Sequence, residues 1–223
     1  MKKHIVKVLD TFMVTHDVKQ IKVDKPAGFS FIPGQATEVS INKEGWKDEG
    51  RPFTFTNLPD EDVLEFTIKT YPEHKGVTNE LLSLKAGDEL ILVDIFGEIA
   101  YKGKGVFIAG GAGITPFIAI FKQLKKNNEL QGNKLIFANK SHKDIIYEDL
   151  LNSYLGDSFI NILESGDEKE YYHGRISEDF LKNHIDDING KFYLCGPPPM
   201  MNAVLKHLSN LGVKNSQIIQ EAM

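Results

Sequence analysis

The first hundred residues carry apolar and polar side chains in alternation. Between residues 64 and 69, leucine, phenylalanine and isoleucine alternate with glutamate, threonine and lysine, which is the period of a half-buried strand. Similar short runs occur at Ile5–Leu9, Val18–Val23, Ala36–Ile41, Phe53–Thr56 and Glu89–Val93. Turn-forming residues separate these runs, and one short helical stretch interrupts them at Thr78–Leu84. The pattern predicts an antiparallel β-barrel.

After Gly103, short apolar runs alternate with stretches of helical spacing. The predicted strands are Val106–Ala109, Leu135–Ala138, Phe159–Leu163, Phe192–Leu194 and Gln217–Ile219. The predicted helices are Pro116–Lys126, Ile145–Tyr154, Phe180–His184 and Met200–Leu208. Such alternation predicts right-handed βαβ units and a parallel sheet. We therefore predict two domains, a barrel in residues 1–100 and an α/β domain in residues 101–223, with glycines clustered at the boundary near residues 97–104.

Composition limits the possible functions. Hydrophobic residues make up 41% and charged residues 26% of the 223 residues, which is the balance of a soluble globular protein. No apolar run approaches the roughly 20 residues of a membrane span. Charged residues interrupt the apolar start of the chain, so we expect no export and a cytoplasmic location. We also expect the protein to be a monomer. A net charge of −5 gives no reason to expect nucleic-acid binding.

The chain contains one cysteine, Cys195. One cysteine excludes an intrachain disulfide, a multi-cysteine zinc site and a four-cysteine iron–sulfur cluster, and we predict no metal site. If electrons pass through this protein, an organic cofactor must therefore carry them.

Two segments of the α/β region have the composition of a ligand site. Gly110–Pro116 follows a predicted strand and opens a helix, where glycines let a pyrophosphate approach the backbone and the helix N-terminus offers free N–H groups. The segment matches neither Gly-x-Gly-x-x-Gly nor a P-loop, and a tight turn without a ligand is the alternative. Cys195–Pro199 ends another strand at the same predicted sheet edge. As a small buried residue Cys195 would be ordinary, and no motif marks it as a nucleophile.

Two segments of the barrel region can bind an anion or a ring. Arg51 can pair with a pyrophosphate, and Thr54 can offer a hydroxyl to a heteroaromatic ring. Gly76 leads into the short predicted helix, which Thr78 or Asn79 can cap, and a capped N-terminus can bind an anion. An exposed arginine and ordinary helix capping are the alternatives.

Six segments, in their order and approximate spacing, resemble the ferredoxin–NADP⁺ reductase superfamily over essentially the whole chain. They are Pro33-Gly34-Gln35, Arg51-x-Phe53-Thr54, Gly76-x-Thr78, Phe96-Gly97, Gly110-Gly111-x-Gly113-x-Thr115-Pro116 and Cys195-Gly196-Pro197-Pro198. The resemblance implies an FAD-binding barrel followed by an NAD(P)H-binding α/β domain. It also implies an NAD(P)H-dependent flavoprotein reductase.

The resemblance assigns roles to individual residues. Arg51 would hold the FAD pyrophosphate and Thr54 would face the isoalloxazine as a catalytic residue. The other residues expected to bind FAD are Pro52, Phe53, Ile68, Lys69, Gly76, Val77 and Thr78. The residues expected to bind the nicotinamide nucleotide are Gly110, Gly111, Gly113, Ile114, Thr115, Cys195, Gly196 and Pro197. Cys195 and Glu221 would flank the reactive carbon of the nicotinamide and stabilise charge without a covalent bond.

Two departures from the family pattern affect the site. The family commonly ends in Glu-x-aromatic, but here Glu221 is followed by Ala222 and Met223, so Met223 is expected to cover the flavin loosely. NADPH-using members often place Ser-Arg after the third strand, where this chain has the acidic residues 164–168. Carboxylates repel a 2′-phosphate and accept from a ribose hydroxyl, which favours NADH over NADPH. Lys140, Lys169 and Arg175 are close in sequence and could reverse this preference.

The expected reaction passes a hydride from NADH or NADPH to flavin N5 and then electrons to an acceptor. Flavodoxin or ferredoxin is one expected acceptor, and free flavin, a haem protein or an oxygenase are others. The alternative from another class is a regulatory module that binds nucleotide without turnover. The intact Arg51-x-Phe53-Thr54 set argues against that alternative, because a flavin-free module need not keep it.

Overall fold

The computed structural model describes residues 3–71 and 76–221. The chain divides into two compact units, one formed by Met1–Ala100 with Thr115–Gln123 and the other by Tyr101–Ile114 with Leu124–Met223. The sequence assigned all of residues 101–223 to one domain, whereas the contacts group Thr115–Gln123 with the first unit.

The first unit contains a six-stranded antiparallel sheet. Its strands are β1 (His4–Met13), β2 (Val18–Asp24), β3 (Ala36–Ile41), β4 (Arg51–Thr54), β5 (Val63–Lys69) and β6 (Glu89–Phe96), in the spatial order β4-β3-β6-β1-β2-β5. A bridge between Phe55 and Phe66 joins the two edge strands, and the Thr56 N–H donates to the Glu65 carbonyl at 2.8 Å. This pairing closes the sheet, so the predicted antiparallel barrel is confirmed.

The barrel interior is filled by the inward side of the alternating pattern. Phe31 stacks on Phe55 with ring centroids 4.2 Å apart, and Phe66 lies against Phe55 at 5.3 Å. A short helix, α1 (Val77–Glu80), continues as a 3₁₀ turn over Leu81–Ser83. Val77 and Leu81 are both buried in the same core, which explains why this helical stretch interrupts the strands.

A buried carboxylate of the first unit pairs with a half-buried lysine. Glu65 is almost fully buried on β5, and its carboxylate accepts from the Thr56 hydroxyl at 2.9 Å. Lys122 Nζ donates to the same carboxylate at 3.0 Å. A buried carboxylate needs such partners because burial removes its hydration.

The second unit contains a parallel sheet, as predicted, and this sheet has six strands. Its strands are β7 (Gly105–Gly110), β8 (Lys134–Asn139), β9 (Phe159–Leu163), β10 (Tyr172–His173), β11 (Lys191–Cys195) and β12 (Ile218–Ile219), in the spatial order β10-β9-β8-β7-β11-β12. The remaining helices of the chain are α2 (Thr115–Lys126), α3 (Glu148–Leu155), α4 (Glu178–His184) and α5 (Pro198–Asn210). Over the described residues, no helix has the length and apolar content needed to cross a bilayer.

Two elements of the second unit differ from the expectation. The predicted helix from Ile145 begins only at Glu148, because Ser141 and Asp144 form a capping box on a separate 3₁₀ turn and Tyr147 adopts a left-handed conformation with φ of 55°. Strand β10 was not predicted, since its two residues are too short to show a period.

A buried tyrosine fixes the start of the second unit. Tyr193 stacks on Phe107 with ring centroids 4.1 Å apart. Its hydroxyl donates to the Gly103 carbonyl at 2.6 Å and accepts from the Lys102 N–H at 2.8 Å. Burial raises the pKa of Tyr193 to about 12, so the hydroxyl stays protonated and can donate.

Candidate functional site

The two α/β segments selected from the sequence lie side by side at the carboxyl edge of the parallel sheet. Strands β7 and β11 are neighbours, and Ala109 pairs with Cys195. The glycines that follow these residues approach each other so closely that a Cβ on Gly196 would lie 3.1 Å from the Gly110 nitrogen. Ligands of open α/β sheets bind at such an edge.

Glycine occupies two positions of the first segment for different structural reasons. Gly111–Ile114 forms a 3₁₀ turn ahead of α2. Gly111 has φ of 51°, and no atom of the described residues lies within 4 Å of a Cβ built there, so they leave its outer side open. A Cβ on Gly113 would overlap the carbonyl of Cys195 and lie 2.7 Å from the Gly196 nitrogen. Gly113 is therefore required by packing, and Ile114 is buried in the fold.

The single cysteine lies beside a carboxylate. Burial, and secondly the negative charge of Glu221, raise the pKa of the Cys195 thiol to about 12. The thiol is therefore protonated at neutral pH, in agreement with the expectation that it forms no covalent bond to substrate. Glu221 is exposed, and Met223, the expected cover of the flavin, lies outside the described residues.

On the barrel, the predicted FAD-binding strand presents an arginine that the fold holds weakly. Arg51 is exposed, and its guanidinium donates to the Gly50 carbonyl at 2.7 Å and lies 3.5 Å from the exposed carboxylate of Glu49. Pro52 is exposed and Thr54 is half-buried, whereas Phe53 packs against the barrel core. The side chains of Arg51, Pro52 and Thr54 are thus accessible to a ligand.

The segment before α1 differs in part from the expectation. Gly76, rather than Thr78 or Asn79, is the N-cap residue, and it has no side chain to cap with. Thr78 and Asn79 lie within the helix. Gly76 is extended with φ of −115°, and among residues 3–71 and 76–221 no atom lies within 4 Å of a Cβ built there. The fold itself does not require glycine at this position, whereas a ligand lying against the backbone would.

Comparison with known proteins agrees with this geometry. Residues 107–206 match the family described as "Oxidoreductase NAD-binding domain". The flavohaemoglobin-like FAD/NAD-binding domain of nitric oxide dioxygenase from Vibrio cholerae superposes with a TM-score of 0.86, at 23% identity over 98% of both chains. A ferredoxin–NADP⁺ reductase from Neisseria gonorrhoeae, solved with bound FAD and NADP, gives 0.85 at 20% identity over 99% of this chain and 98% of that one.

The chain has the fold of the ferredoxin–NADP⁺ reductases. The match of residues 107–206 to an oxidoreductase NAD-binding domain supports the expected oxidoreductase class and a nicotinamide cofactor, and a neighbour of the same fold was solved with bound FAD and NADP. A curated relative is a component of the Na⁺-translocating NADH-quinone reductase of Yersinia pseudotuberculosis, 30% identical over 92% of this chain and 56% of its own length. The chain spans about half the length of the curated relatives that it matches.

Three of the expected FAD-binding residues have side chains that the fold already uses. Ile68 and Val77 are buried in the barrel core. Lys69 Nζ lies 2.8 Å from the Asp17 carboxylate; burial raises the pKa of Asp17, but Lys69 outweighs it and the net pKa is lowered. These three residues leave only their main chains for a flavin.

The acidic loop after β9 lies at the carboxyl edge of the parallel sheet. The N–H and hydroxyl of Ser165 both donate to the Lys140 carbonyl at 2.8 Å. Arg175 Nε donates to the Glu164 carboxylate at 3.2 Å, so this arginine is directed to an acid. Oxygen Oε2 of Glu168 is buried and has no hydrogen-bond partner among the described residues.

The raised pKa of Cys195 predicts a thiol that reacts slowly. At pH 8 we expect iodoacetamide to alkylate it about a hundredfold or more slowly than free cysteine, because only the thiolate is nucleophilic. Glu221→Gln removes the negative charge that opposes ionisation and should speed alkylation. Mass spectrometry measures the rate without ambiguity, since the chain has one cysteine.

The urea-unfolded protein is the control and should react at the rate of free cysteine. A native rate close to that of the unfolded chain would contradict the assignment.

Proposed function

We propose that this protein is a flavoprotein reductase that oxidises NADH with an FAD held by the barrel unit and passes the electrons to an acceptor. The observation that carries the proposal is the packing of the Gly110–Ile114 turn against the Cys195–Pro197 loop at the carboxyl edge of an oxidoreductase NAD-binding domain. The curated relatives are named as components of an NADH-quinone reductase, which supports oxidation of NADH.

The barrel residues fit an FAD. Arg51 is exposed and can turn from Glu49 to a pyrophosphate, whose two negative charges make stronger hydrogen bonds with a guanidinium. The open backbone at Gly76 accommodates a phosphate or ribose against the chain. Thr54 offers a hydroxyl to the flavin edge. When bound, FAD supplies hydride acceptance at N5 and release of single electrons.

The α/β residues fit a nicotinamide dinucleotide. Gly111 keeps the outer side of the turn open for a pyrophosphate. Cys195 stays neutral, and Glu221 beside it places a negative charge where a nicotinamide ring that loses hydride becomes positive. The carboxylate of Glu221 would thus favour the oxidised nicotinamide, and the neutral Cys195 thiol would lie beside the ring without reacting with it.

The acidic loop supports NADH as the preferred nucleotide. Glu168 has a buried carboxylate oxygen able to accept from a ribose hydroxyl, and Glu164 occupies Arg175, the nearest arginine in sequence. A 2′-phosphate would meet these carboxylates and be repelled.

The acceptor is the open part of the proposal. Flavodoxin or ferredoxin was expected from the sequence, whereas the relatives are named as components of a quinone reductase. Stopped-flow oxidation of the reduced protein by ferredoxin, flavodoxin, free FMN and a soluble quinone would rank these acceptors, and the fastest one identifies the acceptor class.

One absorbance experiment tests the function. The purified protein, incubated with FAD and desalted, is expected to be yellow and to bleach anaerobically on addition of NADH, more slowly with NADPH. A regulatory module would remain colourless, or stay yellow with both nucleotides. Turnover with added FMN in the absence of bound FAD would indicate a free-flavin reductase instead.

Arg51→Ala should weaken FAD binding by about 10- to 100-fold, the loss expected for a charge-assisted pair worth about 1.5–3 kcal/mol. Thermal unfolding of the FAD-free protein should hardly change, because Arg51 is exposed in the structure. Fluorescence titration with FAD measures the affinity.

Glu49→Gln is the matched control and should leave FAD binding equal or tighter, because it frees Arg51 from its carboxylate neighbour. Equal FAD affinity in Arg51→Ala and wild type would remove Arg51 from the site.

A further inference from the structure

A buried amide lies at the carboxyl end of β8 without a hydrogen-bond partner. Asn139 is buried, with a relative solvent exposure of only 6%. Neither its Nδ2 nor its Oδ1 has a hydrogen-bond partner among the described residues. A buried amide that lacks partners loses its hydration without compensation, so such groups in native proteins call for an explanation.

The position of Asn139 relates it to both parts of the proposed nucleotide site. On one side, the preceding residue Ala138 pairs with Gly110, and the Gly111–Ile114 turn contacts β8. On the other side, the Asn139 carbonyl accepts from the N–H of Glu164, the first residue of the acidic loop, at 3.0 Å. Asn139 therefore lies between the glycine turn and the acidic loop at the same sheet edge.

A dinucleotide that reaches from the glycine turn to the acidic loop must cross the end of β8. The group that it places there is the sugar–phosphate linkage between its two bases. This linkage carries phosphate oxygens, which accept, and ribose hydroxyls, which donate and accept. An amide offers a donor and an acceptor on one planar group and matches that chemistry.

A second asparagine provides a comparison. Asn161 on β9 is 9% exposed, and its Oδ1 also has no hydrogen-bond partner among the described residues. It pairs with Phe137, two residues before the end of β8, so it lies deeper along the sheet than Asn139. Asn161 shares the burial of Asn139 but not its place at the strand end.

We propose that Asn139 binds the sugar–phosphate linkage of the nicotinamide dinucleotide, with Nδ2 donating to a pyrophosphate oxygen. The inference rests on the proposed function and adds a binding residue to it. Because NADH and NADPH share the linkage, this residue would not distinguish between them. It also explains why a polar side chain occupies a buried position beside the glycine turn.

The test is calorimetric titration of the FAD-loaded full chain with ADP-ribose, which contains the linkage and lacks nicotinamide. Asn139→Leu is expected to weaken ADP-ribose binding about tenfold, and Asn139→Asp to weaken it more, because a carboxylate repels the pyrophosphate. The unfolding temperature of ligand-free Asn139→Leu should be unchanged or higher, because an apolar side chain of similar size removes the unpartnered amide. Asn139→Ala serves in its place if the leucine variant does not fold.

Asn161→Leu is the matched control and should bind ADP-ribose as wild type does. Wild-type affinity for ADP-ribose in Asn139→Leu and Asn139→Ala would overturn this inference but not the proposed function. An equal loss of affinity in Asn161→Leu would do the same. A wild-type protein that binds no ADP-ribose and is not reduced by NADH would overturn the proposed function itself.

Discussion

Gly113→Ala is expected to destabilise the parallel-sheet unit by about 3 kcal/mol or more and to abolish binding of the nicotinamide nucleotide. The added Cβ would overlap the carbonyl of Cys195 and press on the Gly196 nitrogen at 2.7 Å. Both obstacles are backbone at the end of a central strand, so neither can move without displacing the sheet edge. Urea unfolding and titration with ADP-ribose measure the two effects.

Gly111→Ala is the control for this substitution. Its Cβ has open space, so the variant bears only the strain of a left-handed residue, about 1–2 kcal/mol. A Gly113→Ala protein as stable as Gly111→Ala would show that the turn is loosely packed. It would also remove the structural reason given for Gly113.

Lys122→Met should destabilise the barrel unit by about 3–5 kcal/mol, because it leaves the buried carboxylate of Glu65 without its cation. The methionine keeps the length and most of the apolar stem of lysine, so the loss reports the charge. Thermal and urea unfolding of the variant, compared with wild type at the same pH, measure it.

The double variant Glu65→Gln with Lys122→Met provides the control. A neutral amide can still accept from the Thr56 hydroxyl, so the double variant should recover most of the lost stability. If Lys122→Met costs less than about 1 kcal/mol, the pair behaves like an exposed surface salt bridge and the argument from burial fails.

The two sheet types were predictable from the sequence because each has its own spacing of apolar residues. A barrel strand alternates since one face is buried, and a parallel strand is apolar throughout since helices cover both faces. The alignment of the Gly110–Pro116 and Cys195–Pro199 segments was predictable for a related reason. Parallel strands end at the same edge, so Ala109 and Cys195 meet there.

Several site features could not be read from local sequence. The motif assigned Gly111 and Gly113 the same role. In the structure, Gly113 is needed because it packs closely against Cys195, whereas Gly111 is needed for its left-handed backbone conformation. Thr78 and Asn79 have the composition of helix caps, yet the helix begins before them at Gly76. Ile68 was expected at the flavin, and its side chain is buried in the barrel core, which leaves only its main chain for that role.

The sequence by itself determined the order of most strands and helices and the two kinds of sheet, because these follow from periodicity and short motifs. Only the tertiary structure decided which polar side chains are buried. Glu65, Lys122 and Asn139 look like ordinary surface residues in the sequence, and their environments depend on contacts with distant segments. The burial of Glu65 and Asn139 is what gives these contacts large energetic effects, since a polar group without water must find its partner in the protein or in a ligand.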